Sequence, residues 1–129
     1  MDDKKMIMSE EVAQSEIKGW AEAIGNEEFE PSRKLLFGVM RGRISFDEAT
    51  ESFTVKLLSP IEMQNGKTLD TLAIKEPKAE MLREAAKSKG EIETTLRMIA
   101  AITGQPAGIV DRIGMRDLTI LGEVLGFFA

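Results

Sequence analysis

Ser59–Pro77 reads SPIEMQNGKTLDTLAIKEP, and the stretch Asn65-Gly66-Lys67-Thr68 at its centre admits two structures. Gly66-Lys67-Thr68 ends like a phosphate-cradling loop, which would make the segment a nucleotide site. Such a loop needs a second glycine five positions earlier, so that successive backbone N–H groups can curl around the phosphates. That position holds Ile61, whose β-branched side chain would fill the nest. Asn65-Gly66 is instead a strong hairpin signal, and a two-residue turn would need φ > 0 at both positions. Ile61–Met63 and Leu69–Lys75 therefore read as the arms of a hairpin, and the segment is architecture.

Working upstream, RGRISFDEATESFTVKLLSP (Arg41–Pro60) shows apolar residues at period two: Ile44 and Phe46, then Phe53, Val55 and Leu57. Asp47 and Thr50 supply turn chemistry between the two runs, and Pro60 predicts a bend or an edge in the second strand. The three runs predict a small antiparallel meander with one apolar face.

Before the meander the period is helical. In SEEVAQSEIKGWAEAIGN (Ser9–Asn26), Met8, Val12, Ile17, Trp20 and Ile24 fall near one face. Ser9 is placed to cap this helix, Glu10 and Glu11 suit its positive end, and Gly25-Asn26 predicts its stop. A second helix is expected to open at Pro31 and run through Leu35, Leu36, Val39 and Met40 to Gly42. The acidic linker GNEEFE between the two helices is expected to be mobile.

After the meander, PKAEMLREAAKSKG (Pro77–Gly90) predicts a helix opened by Pro77 and stopped by Gly90, with Met81, Leu82 and Ala85 buried. EIETTLRMIAAITG (Glu91–Gly104) places Ile92, Leu96, Ile99 and Thr103 on one face. A short turn or helix opened by Pro106 points Ile109, Val110 and Ile113 inward. In the last helix, Leu118, Leu121, Val124, Leu125 and Phe128 line one face, and Gly122 and Gly126 weaken it by about 1 kcal/mol each relative to Ala. The fold class is α+β: a small β-meander followed by a helical C-terminal half, with a helical N-terminal extension. Residues 1–42 are expected to form that extension and 43–129 the main domain.

Composition narrows the chemistry. The 129 residues suit one domain, 43% are hydrophobic and 30% charged, and no apolar run approaches the about 20 residues of a membrane span. No export signal is read at the N-terminus, so the expected compartment is the cytoplasm. The chain contains no Cys, His or Tyr. Thiolate chemistry and a Ser-His-Asp triad are thereby excluded, and the usual general base and metal ligand are missing. No catalytic residue, cofactor or metal site is expected. Carboxylate pairs such as Glu10/Glu11, Glu27/Glu28 and Asp47/Glu48 are adjacent in sequence, and neighbours on a helix point apart.

A net charge of −5 opposes non-specific nucleic-acid binding. The local exception is RKLLFGVMRGR (Arg33–Arg43), with Arg33, Lys34, Arg41 and Arg43. It would be the contact surface of a small regulatory or DNA-binding protein, the alternative function. As the polar side of a helix running into a strand, it is ordinary.

Two longer runs together resemble a known family. VKLLSPIEMQNGKTLDTLAIKEPKAEMLREA (Val55–Ala85) has a strand ending near a proline, a hairpin on -NGK-, then Leu72, Ile74, Glu76 and Pro77 leading into a helix. MIAAITGQPAGIVDRIGMRDLTILGEVLGFF (Met98–Phe128) has a helix closed by Thr103-Gly104, a proline-led short helix and a terminal helix rich in Leu and Phe. From about Phe53 to Phe128 the chain resembles the phage tail assembly chaperone family, the E/41-like small tail proteins of contractile-tailed phages and prophages. Gly114 departs from the Ser or Asp more often found at the start of the last helix, and residues 1–50 extend beyond the compact family form.

The resemblance implies a non-enzymatic chaperone of tail morphogenesis in the host cytoplasm. Its implied partners are the tape measure protein, which it would keep soluble until the tail tube polymerises, a frameshifted longer product of the same gene, and further copies of itself. No nucleic acid or membrane partner is implied. A holdase needs apolar surface, and the terminal helix is the candidate, with Leu118, Leu121, Leu125, Phe127 and Phe128 as partner-binding residues. The same residues would also serve as core. Phe127 and Phe128, being adjacent, cannot both face one way, so one of them is expected to be exposed or to touch a partner.

Overall fold

The computed structural model describes residues 5–129; the first four residues of the expected N-terminal extension lie outside it. Helices α1 (Glu10–Ile24) and α2 (Arg33–Met40) precede strands β1 (Ile44–Asp47), β2 (Ser52–Glu62) and β3 (Thr68–Ile74). Helices α3 (Ala79–Ala85), α4 (Glu91–Thr103), α5 (Ala107–Val110) and α6 (Met115–Leu125) follow, and a short 3₁₀ turn spans Gly126–Phe128. The expected α+β class holds.

The sheet is an antiparallel meander in the order β1-β2-β3. Its register sets apolar residue against apolar residue: Ile44 faces Val55, Phe46 faces Phe53, Phe53 faces Ile74 and Val55 faces Leu72. Side chains alternate across a strand, so this register puts one continuous apolar face toward the helices. The register breaks between Lys56 and Ile61, where β2 carries extra residues and Pro60 has no N–H to give the ladder. The bend expected at Pro60 is this bulge.

The turn between β2 and β3 differs from the two-residue form expected. Among the described residues, only Gly66 in this loop has positive φ, at 81°. Met63 N donates to Lys67 O at 2.8 Å, and Gly66 N donates to Met63 O at 3.1 Å. Those bonds close a longer loop with a left-handed glycine at its end, a turn-plus-bulge hairpin. Asn65 stays at negative φ and accepts from Lys67 N through Oδ1 at 2.9 Å. The side chain does locally what a second left-handed residue would have done.

The N-terminal helices start and stop on short signals. Ser9 Oγ accepts from Val12 N, and Gly25 ends α1 in the left-handed region with its N–H on Ala21 O. In α2 the cap is Ser32, whose Oγ accepts from Leu35 N at 3.1 Å; Pro31 lies just before it rather than opening the helix. Val12, on the expected apolar face, is about half exposed, and Ala13 takes a buried position.

Two corrections fall in the C-terminal half. Helix α3 starts after Lys78, which gives it no side-chain cap, and ends near Ala85, so Gly90 does not stop it. With φ 85° and ψ 159°, Gly90 instead precedes α4. The buried stripes are also shorter than their periodicity: Ala85 is buried, but Leu82 and Ile92 are exposed. Val110 is buried, with Ile109 and Ile113 packed beside it, as the inward-pointing reading of α5 requires.

One core joins α1, α2, the sheet, α4, α5 and α6, while Ala85 of α3 is buried outside it. Ala13, Ile17 and Ala21 of α1 and Leu35, Leu36 and Val39 of α2 share it with the sheet, with Ile99, and with Ile120, Leu121, Val124 and Phe127. An aromatic group stands at its centre. Phe127 stacks on Phe29 with ring centroids 4.0 Å apart and lies 4.6 Å from Phe53, and Trp20 meets both Phe53 and Phe127. Phe29 thus ties the acidic linker to the core. Asn26 Nδ2 donates to Phe127 O at 3.1 Å, fastening the linker to the C-terminal turn.

Candidate partner-binding surface

The five candidate residues of the terminal segment divide into two groups. Leu121 and Phe127 are fully buried. Leu118, Leu125 and Phe128 are half-buried and pack against the core from its rim. Adjacent Phe127 and Phe128 do diverge: Phe127 enters the aromatic group, and Phe128 meets Phe53 edge-on at 5.7 Å while keeping some surface. Gly126 is occupied, since Phe29 lies where a second helix would have to approach, whereas Gly122 faces open space.

Larger apolar exposure lies elsewhere. Met115, at the start of α6, is 84% exposed, Ile92 67% and Leu82 45%. Leu82 and Ile92 belong to the α3–α4 pair, in which Met81, Ala85 and Ala101 line a shallow groove beside Glu84, Lys87 and Arg97. Lys87 is paired with Glu84 and Arg97 with Glu93, both at 3.0 Å on the surface. Lys89 joins these two pairs on the groove lining, and the apolar part of that lining is one methionine and two alanines, a pliable surface.

The start of α6 is anchored by a group that composition alone did not single out. Asp117, in the first turn of α6, is 1% exposed. Its Oδ1 accepts from Arg43 Nη2 at 2.9 Å and from Leu58 N at 2.8 Å, and its Oδ2 accepts from Ser59 N at 3.0 Å. Arg43 Nη2 also donates to Lys56 O at 3.0 Å. The carboxylate thus satisfies two strand N–H groups at the bulge, sits at the positive end of a helix and neutralises a buried cation. The sequence clue was an aspartate three residues after Gly114. Gly114 itself offers α6 no side-chain cap.

The basic run Arg33–Arg43 does not present a common face. Arg43 is buried in that pair, and Arg33 pairs with Glu10 and lies over the Phe37 ring at 4.8 Å. Arg41 reaches the same ring from 5.7 Å, and its Nε is buried without a hydrogen-bond partner. Among the described residues, no three carboxylates gather into a group that could hold a metal ion, and no helix is long and apolar enough to cross a membrane.

No curated protein and no solved structure matches this chain. The model of the family described as phage tail assembly chaperone proteins, E, or 41 or 14, matches residues 54–129. That span runs from β2 through the hairpin and α3–α6 to the last residue. The chain belongs to the phage tail assembly chaperone family.

Proposed function

We propose that this protein is a non-enzymatic holdase that binds the tape measure protein in the host cytoplasm and keeps it soluble while the tail forms. The observation that carries this reading is the family match across the meander and all the C-terminal helices. Exposed Leu82, Ile92 and Met115 in the same span give it apolar surface to lend. A long helical client presents recurring apolar stripes, and a groove with a pliable methionine in its lining accepts several of them without a fixed register. Leu118, Leu125 and Phe128, on the rim of the core, extend this surface; Leu121 and Phe127 support it from beneath. A longer product of the same gene would share the surface and join the same assembly. The excess of acidic over basic residues, 22 against 17, helps keep such a protein dispersed.

The test is co-expression with a tape measure protein, reading the soluble fraction of the client and its co-purification. The chaperone is expected to raise the first and to be retained in the second. A client equally soluble without it, and absent from the purified chaperone, would refute the proposal.

A further inference from the structure

The two edges of the sheet, β1 and β3, are treated differently. Strand β1 has four residues, and α1 runs beside it, with Val12, Gly19 and Trp20 lining a groove against Phe46 and Glu48. Beyond the end of β1, the outward N–H groups of β2 at Leu58 and Ser59 are closed by Asp117. Strand β3 has seven residues, TLDTLAI, with no proline and one charge, Asp70. Edge strands are normally protected by charge, proline, bulges or cover. Helix α4 packs against β3, but the strand itself carries no proline and a single charge to protect its edge.

The ladder fixes which groups that edge offers. Lys56 N donates to Arg43 O, so the even-numbered residues of β2 bond toward β1 and the odd-numbered ones toward β3. Val55 and Phe53 therefore exchange bonds with Leu72 and Ile74, which leaves the N–H and C=O of Thr71 and Ala73 directed outward. Among the described residues, nothing bonds to those four groups. Thr71 and Ala73 are exposed and small, so no bulky side chain bars a neighbouring strand.

We infer that β3 pairs antiparallel with β3 of a second copy of this chain, through Thr71 and Ala73, to form one six-stranded sheet. An extended strand can replace water along such an edge, and a second β3 brings the same alternation: Leu72 and Ile74 toward the core, Thr71 and Ala73 toward solvent. With the two-fold axis at Thr71 or Leu72, the lone carboxylate of Asp70 falls opposite Leu72 or Ile74 of the other copy. Like charges therefore do not meet directly, although the chain as a whole carries −5. The contact is self-complementary and closed, so it stops at two copies. Six strands also lie near the usual sheet size, where three are few. This pairing stands independently of the client reading, because it uses the sheet edge and not the apolar helical surface.

The experiment is light scattering across a concentration series, together with amide exchange by NMR on the unaltered protein. The expected result is a mass of twice 14.3 kDa, with the Thr71 and Ala73 amides becoming protected as the dimer forms. Ala73→Pro removes only an outward N–H and is expected to return the monomer mass with Trp20 fluorescence unchanged. A monomer at high micromolar concentration overturns the inference. So does a dimer in which the Thr71 and Ala73 amides exchange freely. Should Ala73→Pro not fold, the concentration dependence of those two amides in the unaltered chain decides.

Discussion

Arg43 and Asp117 meet at 2.9 Å with side chains only 7% and 1% exposed, joining the residue just before β1 to the first turn of α6. Seventy-four positions separate them. Removing one member of a buried pair strands the other charge, at about 3–5 kcal/mol. Asp117→Ala is expected to lose that much in urea unfolding followed by Trp20 fluorescence, and to lose the bonds to Leu58 N and Ser59 N as well. The double variant Arg43→Met/Asp117→Leu should cost less than the two single changes summed, because no lone charge remains. It should still fall short of the unaltered protein, since two strand N–H groups stay unsatisfied. Additive single changes would show that the pair does not act as a unit.

Phe127 and Phe128 offer a second comparison. Phe127 is fully buried between Phe29, Phe53 and Trp20, so Phe127→Ala should cost about 3–5 kcal/mol. Trp20, the single tryptophan, should report it by a red-shifted emission. Phe128→Ala touches the same group from its rim and should cost distinctly less. Equal losses at the two positions would mean that the C-terminal turn does not hold the arrangement described.

Much of this fold was legible because its signals are local. Ser9 and Gly25 bound α1, the alternation through Phe53, Val55 and Leu57 gives β2, and Pro60 marks the bulge. The misreadings arose where one residue type serves two ends. Gly90 fits a helix stop or a helix start, and only its φ and ψ decide. Periodicity shows which face of α4 is apolar, but not how far the core beneath it extends: Ile92 shares that face with Ile99 yet lies outside the core. For the candidate surface, a leucine stripe on α6 could be core or interface, and burial assigns Leu121 to the core. Asp117 carries no local signal, because its partners, Arg43, Leu58 and Ser59, come together only through the tertiary fold.

The exposed apolar residues should separate binding from stability. Leu82→Lys, Ile92→Lys and Met115→Lys change side chains that face solvent, and surface substitutions usually shift stability by about 0.5 kcal/mol or less. Thermal melts of the triple variant should therefore overlay the unaltered protein, while the soluble yield of co-expressed tape measure protein falls. Full retention of client solubility would remove these residues from the binding surface and return attention to Leu118, Leu125 and Phe128.

Duplex DNA supplies a sharp test of the basic run. With Arg43 buried and Arg33 engaged by Glu10 and Phe37, few cations remain to displace counterions from phosphates. A titration at low salt is expected to show no tight binding with steep salt dependence. Such binding, lost in Arg33→Glu/Lys34→Glu, would revive the regulatory alternative.

The expected boundary at residue 42 can be tested by deletion. Residues 1–42 lie outside the family match, yet Ala13, Ile17, Ala21, Leu35, Leu36 and Val39 belong to the common core, and Trp20 and Phe29 close the aromatic group. Cutting them away would expose Phe53, Val55 and Phe127 together, a burden far above the few kcal/mol by which small domains are stable. The 43–129 fragment is expected to bind a hydrophobic dye and to lose cooperative unfolding by circular dichroism, as compact states without fixed packing do. Adding residues 1–42 as a separate peptide should restore part of the transition. A fragment that unfolds sharply and shows dispersed NMR signals would instead establish 43–129 as a free-standing domain, with α1 and α2 an accessory to it.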